Sequence, residues 1–283
     1  DLNYDNTRFI DYLKSKTFFV ASESKSNYGR TILSLTSSMN MEYFDSAANA
    51  PTRAVDYWSL QNNKAMQFAR EHGYRVVYLA DRWPAGREEL GDTYFGCAAT
   101  RRAVRTQGFI DALLHSTALH PVLVKFSTLE PGQRDYRVCQ FFRLAKSQDI
   151  TGPKVVVIHL PVPGFPYVVG RDGEPPPGAW RTRLSAQDFL NQLSWTNDML
   201  ESLIDALLSD PDYSPVIVLQ GDHGEVEWGD VDLSGENLLR RDFEILNAYH
   251  LPNGGENLLY PSISPVNTFR TIFNHYLEAD FDI

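Results

Sequence analysis

The segment "SPVIVLQGDHGE", residues 214–225, decides the fold prediction. Its run of β-branched and aliphatic residues, 216–219, predicts a short buried strand. The run stops at a glycine, and Asp222 and His223 then stand side by side before a second glycine. In open parallel sheets, ligands bind outside the carboxyl ends of the strands. The segment therefore predicts a site where this strand ends.

Asp222 and His223 are the types of ligand that a divalent cation accepts, a carboxylate oxygen and an imidazole nitrogen. We expect the flanking Gly221 and Gly224 to let the backbone turn sharply, so that both side chains face one ion. The alternative is an Asp that caps the next turn beside a surface His, because short motifs also occur by chance.

The rest of the chain alternates helical and strand-like segments, which predicts an α/β fold. Helices are predicted within residues 5–16, 59–73, 99–116, 185–210 and 264–280, and strands within 17–22, 74–81, 152–164, 214–220 and 244–252. The stretch 170–180 contains three successive prolines and reads as a loop. We predict a three-layer α/β/α sandwich with a largely parallel central sheet, built as a single domain over residues 1–283.

Composition excludes several classes of protein. A formal net charge of −10 with scattered basic residues argues against nucleic-acid binding, which needs a basic stripe to neutralise phosphates. The apolar runs are much shorter than the roughly 20 residues of a membrane-spanning helix. The two cysteines, Cys97 and Cys139, form no metal motif; two buried thiols are favoured over one disulfide.

A second polar loop, "SKSNYGRTILSLTSSMNM" (24–41), turns into a predicted helix near Thr31. Free backbone N–H groups and the helix dipole stabilise anions at a helix N-terminus. A hydroxyl there suits a nucleophile that attacks a phosphate or sulfate ester, because the amides can hold the ester oxygens. The alternative is that Thr31 is only an N-cap.

The Thr31 segment, the strand "VVVIHLPVPGFPYVV" and "VIVLQGDHGE", taken in order, resemble the alkaline phosphatase and sulfatase superfamily. The match is to its membrane-anchored, sulfatase-like branch, which includes lipoteichoic acid synthases and phosphoethanolamine transferases. The resemblance implies an alkaline-phosphatase-like fold. It also implies that Thr31 is the nucleophile and a metal ligand, and that Asp222 and His223 are metal ligands.

For substrate binding, we expect Asn27 or Arg30 to stabilise charge on the ester oxygens, and the resemblance implies that His159 lies near the site. His159 ends an otherwise apolar strand, and a core histidine bonded to the backbone is the equal alternative. The implied cofactor is a divalent cation, Mn, Mg, Ca or Zn, and the implied partner is an anionic phosphate or sulfate ester. The implied location is extracytoplasmic, with membrane contact only through an upstream segment.

Two functions follow. One is a metal-dependent hydrolase or transferase that acts through a covalent threonine intermediate. The other is a catalytically silent relative that binds an anionic glycan, a lipid headgroup or a partner protein. Gly164 favours the silent protein, because related sequences usually carry a His there.

The family's first strand, which carries an acidic metal ligand, is expected upstream of residue 1. Thr31, Asp222 and His223 are one short of the usual four ligands, so we expect weak metal binding by this chain alone. His159 or Glu225 is the first place to look for a fourth ligand. The acidic residues after Glu225 otherwise read as a solvated loop.

Overall fold

A computed structural model describes residues 4–44, 60, 62–79, 93–95, 131–176, 185–224, 240 and 242–283. Within them lie six α-helices and six β-strands. The helices are α1 Thr7–Ser15, α2 Thr31–Asn40, α3 Lys64–Glu71, α4 Pro131–Lys146, α5 Ala186–Leu207 and α6 Pro265–Tyr276. The strands are β1 Phe19–Val20, β2 Arg75–Leu79, β3 Thr93–Phe95, β4 Lys154–Ile158, β5 Ile217–Gln220 and β6 Asn247–His250. These bounds confirm the predicted elements that fall on described residues; the helix predicted within 99–116 lies outside them.

The chain divides into two units. The first comprises Asp1–Tyr4, Val77–Thr151 and Val156–Ala206, and the second comprises Asp5–Val76, Gly152–Val155 and Leu207–Ile283. Helices α1, α2, α3 and α6 and strands β1, β5 and β6 belong to the second unit. The single domain over residues 1–283 remains a prediction.

The sheet of the second unit has the order β1-β6-β5, and both of its strand pairs are antiparallel. In its centre, Tyr249 of β6 pairs with Phe19 of β1 and with Val218 of β5. Tyr249 is fully buried and packs in one cluster with Leu251 and Ile263. The prediction of a largely parallel sheet is wrong for these strands. Alternation of strands and helices along the chain does not fix strand direction, because antiparallel pairs need no helical crossover.

A second sheet has the order β3-β2-β4. Here β2 and β3 are parallel, with Val77 opposite Thr93. Residues 76–79 of β2 are all buried, which is typical of a strand in a parallel sheet. In the first unit, α4 and α5 are in contact through Phe141 and Trp195. Their rings are arranged edge to face, with the ring centroids 5.5 Å apart. The three-layer sandwich stays a prediction.

Cys139 lies on α4 and is disulfide-bonded. The preference for two buried thiols is therefore wrong for Cys139. The sequence carries no signal for pairing, because a bridge depends on the distance between two chain segments and not on local pattern. Cys97 lies outside the described residues.

Helix α2 follows the polar loop, and both belong to the second unit. Its N-cap is Arg30, whose backbone is extended (φ −140°, ψ 131°), and its C-cap Met41 is left-handed (φ 58°). The helix packs against α6 and α3. The Met41 carbonyl accepts a 2.5 Å hydrogen bond from Nη2 of Arg270, which satisfies one acceptor at the helix C-terminus. The C-terminal end of α2 is thus held by the Arg270 side chain.

None of the helices in the described part of the chain combines the length and the apolar content needed to cross a membrane.

Candidate active site

Thr31 is the first residue of α2, and its hydroxyl Oγ1 lies 2.9 Å from Nε2 of His223. The N-cap is Arg30, whose carbonyl accepts the hydrogen bond from the Ser34 amide at 3.0 Å. The alternative that Thr31 is only an N-cap is therefore wrong. Its hydroxyl makes a contact across 192 residues of sequence with the strand-end histidine.

His223 is held in one tautomer by its own backbone neighbour. Its Nδ1 lies 2.6 Å from the carbonyl oxygen of Gly224. Because a carbonyl oxygen only accepts hydrogen bonds, Nδ1 must carry the proton. Neutral imidazole then has its lone pair on Nε2, and the Thr31 hydroxyl donates to it. Metal-binding histidines typically show this arrangement, with the second ring nitrogen donating to a carbonyl.

Asp222 adds a carboxylate to the same group. Its Oδ2 lies 3.5 Å from Nε2 of His223, and the two side chains are only 21% and 24% exposed. The hydroxyl of Thr31, the imidazole and the carboxylate therefore converge, since both oxygens lie within 3.5 Å of Nε2. The structure brings together the three residues that sequence analysis assigned to the metal.

Two backbone hydrogen bonds hold the loop that carries this pair. The Gly221 amide donates to the Leu246 carbonyl at 2.8 Å, and the Gly224 amide donates to the Asp242 carbonyl at 2.9 Å. Sequence analysis expected Gly221 to allow a sharp turn. Its φ is not positive, so the backbone there does not adopt a conformation that requires glycine. A Cβ at this position would lie 3.2 Å from Cβ of Ile245. Any larger residue at position 221 would therefore require the Ile245 side chain to move by a few tenths of an ångström, because β5 ends in close contact with the segment that precedes β6.

A network that sequence analysis missed lies directly before this loop. Nε2 of Gln220 donates to Oδ1 of Asn247 at 3.0 Å and to Oγ1 of Thr268 at 2.8 Å. The hydroxyls of Tyr249 and Thr268 lie 2.8 Å apart, and burial raises the pKa of Tyr249 to about 12. The signal available in the sequence is the pair of amides, Gln220 at the end of the apolar strand β5 and Asn247 at the start of β6.

The residues predicted to bind substrate are placed differently. Asn27 uses Nδ2 to donate to Oγ of Ser37 at 3.1 Å and of Ser38 at 3.3 Å, and its Oδ1 accepts from Oγ of Ser264 at 3.0 Å. Its amide thus connects the polar loop to α2 and to the start of α6. Arg30 is exposed at the N-cap.

His159 follows β4 in the first unit, where its carbonyl accepts a 3.2 Å hydrogen bond from Nε2 of Gln140. This backbone contact is compatible with either interpretation of His159. Glu225, the other position proposed for a fourth ligand, lies outside the described residues.

The donor set fits a divalent cation in kind. One carboxylate, one imidazole with its lone pair on Nε2 and one hydroxyl are ligands that such cations accept. Among the described residues, no group of three or more His, Cys, Asp or Glu side chains is placed to hold a metal. Asp222 and His223 are only two such ligands, so Thr31 is needed as the third.

No protein-family model and no curated protein sequence matches the chain. Solved structures of the same fold do. The C-terminal periplasmic domain of phosphoethanolamine transferase EptC from Campylobacter jejuni is 12% identical, with a TM-score of 0.58 over 97% of this chain and 83% of that one. The zinc complex of the corresponding EptC domain from Escherichia coli is 13% identical, with a TM-score of 0.59 over 96% of this chain and 75% of that one.

The integral membrane protein lipooligosaccharide phosphoethanolamine transferase A from Neisseria meningitidis is 12% identical, with a TM-score of 0.55. The match covers 96% of this chain and 50% of that one. The chain thus has the alkaline-phosphatase-like fold of these transferase domains. The resemblance predicted from the Thr31 and Asp222-His223 segments is confirmed at the level of the fold.

Proposed function

We propose that the chain is the catalytic domain of an enzyme that transfers a group from a phosphate ester, with Thr31 as the nucleophile. The observation that carries the proposal is the 2.9 Å contact between Oγ1 of Thr31 and Nε2 of His223, whose tautomer the Gly224 carbonyl fixes. A structural threonine at the first position of a helix has no need of a histidine acceptor.

The cation would be held by Asp222, His223 and Thr31. A bound divalent metal, Mn, Mg, Ca or Zn, supplies positive charge that lowers the pKa of a neighbouring hydroxyl and offsets the charge of the ester. The zinc complex of the Escherichia coli domain supports this expectation.

The group transfer proceeds in two displacements. Oγ1 of Thr31 attacks phosphorus, the bond from phosphorus to the leaving alcohol breaks, and the Thr31 proton passes to solvent, because the lone pair on Nε2 of His223 would be engaged by the cation. The leaving alcohol takes a proton from solvent. In the second displacement an acceptor alcohol attacks the phosphothreonine, loses its proton and restores the Thr31 hydroxyl. With water in place of the alcohol, the same site is a hydrolase.

The N-terminus of α2 supplies the anion-binding groups. The first amides of a helix lack intrahelical partners and point at the residue that precedes them, so they are available to the ester oxygens. Arg30, exposed at the N-cap, adds a positive charge at this end. Developing charge in the displacement is stabilised by donors fixed in advance.

The similar transferases favour transfer over hydrolysis and phosphate over sulfate. They also favour an extracytoplasmic location, because two of them are periplasmic domains, and a membrane anchor, because the Neisseria meningitidis protein is an integral membrane protein. A reporter fusion to the full-length protein tests the location; cytoplasmic exposure of the domain would overturn it.

A silent binding domain is the second candidate, and Gly164 is the observation that favours it. Its carbonyl accepts hydrogen bonds from Nη1 of Arg137 at 3.1 Å and from Nε2 of Gln192 at 3.0 Å. The position therefore contributes only backbone, where related sequences usually have an imidazole. On this candidate function the domain binds the anionic ester without turning it over.

The test is turnover of p-nitrophenyl phosphate, its sulfate and a phosphodiester with each of the four cations, combined with intact-mass spectrometry of the protein. We expect Thr31→Ala to abolish both turnover and the covalent mass increase. Thr7→Ala is the matched control, because Thr7 is the exposed first residue of α1. Retained turnover in the Thr31 variant refutes the nucleophile, and metal binding without any turnover supports the silent domain.

A further inference from the structure

A polar cavity of about 860 Å³ lies in the second unit. It is lined by residues 22–27, Tyr43, Arg240, Glu244, Ile245, Ser262 and Ser264. Its volume falls in the range of small-molecule sites, but such sites are mostly apolar. Among the described residues that line it, only Ile245 is aliphatic, and five are serines. None of Thr31, Asp222 and His223 lines this cavity.

Part of the cavity wall is held in place by hydrogen bonds. Oγ of Ser24 donates to the Ile263 carbonyl at 2.7 Å and accepts from Nδ2 of Asn247 at 2.8 Å. Oγ of Ser264 donates to Asn27 at 3.0 Å. These side chains have their partners within the protein, so they shape the wall and leave recognition to others.

Other lining side chains have no partner within the described part of the chain. They are the buried hydroxyl of Ser26 and four groups on exposed residues, namely the hydroxyls of Ser22 and Ser262, the carboxylate of Glu23 and the ammonium of Lys25. Ser26 is the most informative, because it is 6% exposed and its Oγ is buried without a hydrogen bond. A buried hydroxyl without a partner is unfavourable, and such groups call for an explanation such as a ligand.

The charges of the cavity balance. Glu23 and Lys25 bring one charge of each sign, and Nε of Arg240 lies 3.5 Å from Oε1 of Glu244. If a strongly anionic or cationic ligand paired with one group of a pair, the other group of that pair would be left without an opposite charge. At the edge, the Tyr43 side chain is 59% exposed while its hydroxyl is 2.5 Å from Oγ of Ser264, so the ring is anchored and open to contact.

From these features we infer that the cavity binds a neutral, hydroxyl-rich ligand, a saccharide of about two sugar units. Vicinal hydroxyls pair with the carboxylate of Glu23 and the ammonium of Lys25, and the serine hydroxyls match further donors and acceptors of the sugar. The Tyr43 ring offers an apolar face with a polar tip, which suits the C–H face of a sugar ring. The inference does not depend on the proposed function, because it concerns binding at different residues.

The test is binding of neutral disaccharides (maltose, cellobiose and trehalose) by saturation-transfer NMR and isothermal titration calorimetry, with glucose 6-phosphate and phosphorylethanolamine as charged probes. We expect a neutral disaccharide to bind. The double variant Glu23→Gln/Lys25→Met should weaken that binding about tenfold or more, since two charge-assisted contacts are lost. Glu71→Gln/Lys14→Met is the matched control, because it removes the same charges from exposed positions of α3 and α1.

Ser26→Ala separates recognition from folding. It should weaken saccharide binding about threefold while leaving the melting temperature unchanged or higher, because the hydroxyl that is removed has no partner among the described residues. Two outcomes overturn the inference. One is that none of the neutral disaccharides binds, and the other is that only the charged probes bind. Absence of any turnover by the unaltered protein, together with saccharide binding, would contradict the proposed function and leave this inference intact.

Discussion

Replacement of Gln220 by Met tests whether the buried network holds the end of β5. Nε2 of Gln220 donates to Asn247 at 3.0 Å and to Thr268 at 2.8 Å, and the Tyr249 hydroxyl lies at 3.5 Å. Asn247 and Tyr249 are fully buried, and Thr268 is 2% exposed. Methionine has a similar length and fills the space, but it cannot donate a hydrogen bond.

The magnitude follows from the two short bonds. Each typical hydrogen bond contributes about 0.5–1.5 kcal/mol to stability, and a buried acceptor left unsatisfied costs about 1–3 kcal/mol. Thr268 keeps the Tyr249 hydroxyl as a partner, whereas Oδ1 of Asn247 loses its donor. We therefore expect Gln220→Met to lower the free energy of unfolding by about 2–4 kcal/mol, most of it from Asn247.

The assay is thermal and urea unfolding followed by circular dichroism, with a drop of roughly 2–4 °C in melting temperature for each kcal/mol. Gln67→Met is the control, because Gln67 is exposed and makes a single 2.8 Å bond to the Asn62 carbonyl. The control should stay within about 0.5 kcal/mol of the parent protein. If the Gln220 variant stays within that limit as well, the network does not stabilise the strand end and the reasoning is wrong.

Three further predictions concern other parts of the chain. Burial lowers the pKa of His250 below 6.5, so the unfolded state binds the proton more readily than the folded state. The contribution of His250 to stability is therefore complete above pH 6.5 and decreases as the pH falls below it. His250→Gln should reduce this dependence of the melting temperature on pH. Asn274→Ala removes two 2.8 Å bonds to the backbone of Phe281, and we expect faster hydrogen exchange at residues 279–283; unchanged protection would refute this. Gly164→His should cost less than about 1 kcal/mol, because a Cβ there meets no atom within 4 Å; a larger loss in urea unfolding contradicts this.

Local features of the fold were predictable because they depend on neighbouring residues. The apolar run before Gly221 predicts β5, and the polar loop that contains Gly29 predicts a helix that begins near Thr31, which is the first residue of α2. The pairing of Thr31 with His223 was accessible only through the ordered resemblance of the two segments. No periodicity relates residues that lie 192 positions apart.

The remaining features depend on packing between distant segments. The antiparallel direction of β5 and β6 depends on the path of the chain between the two strands, and the hydrophobic pattern contains no information on that path. The role of Asn27 is similar. Sequence analysis proposed Asn27 for substrate binding, which stays a prediction, but it gave no sign that the amide would also contact Ser37, Ser38 and Ser264. A polar side chain near a nucleophile serves packing as readily as recognition, and only its partners distinguish the two.

The backbone bonds of Gly221 and Gly224 to the carbonyls of Leu246 and Asp242 make the loop's path independent of the side chains it carries. Under the proposed function, the metal preference of the site could be redesigned by exchanging the two residues between the glycines. Cysteine or histidine in place of Asp222 would favour softer cations, and a carboxylate in place of His223 would favour harder ones. The main chain of the loop would position each of these ligand sets in the same way, provided that residue 221 stays glycine.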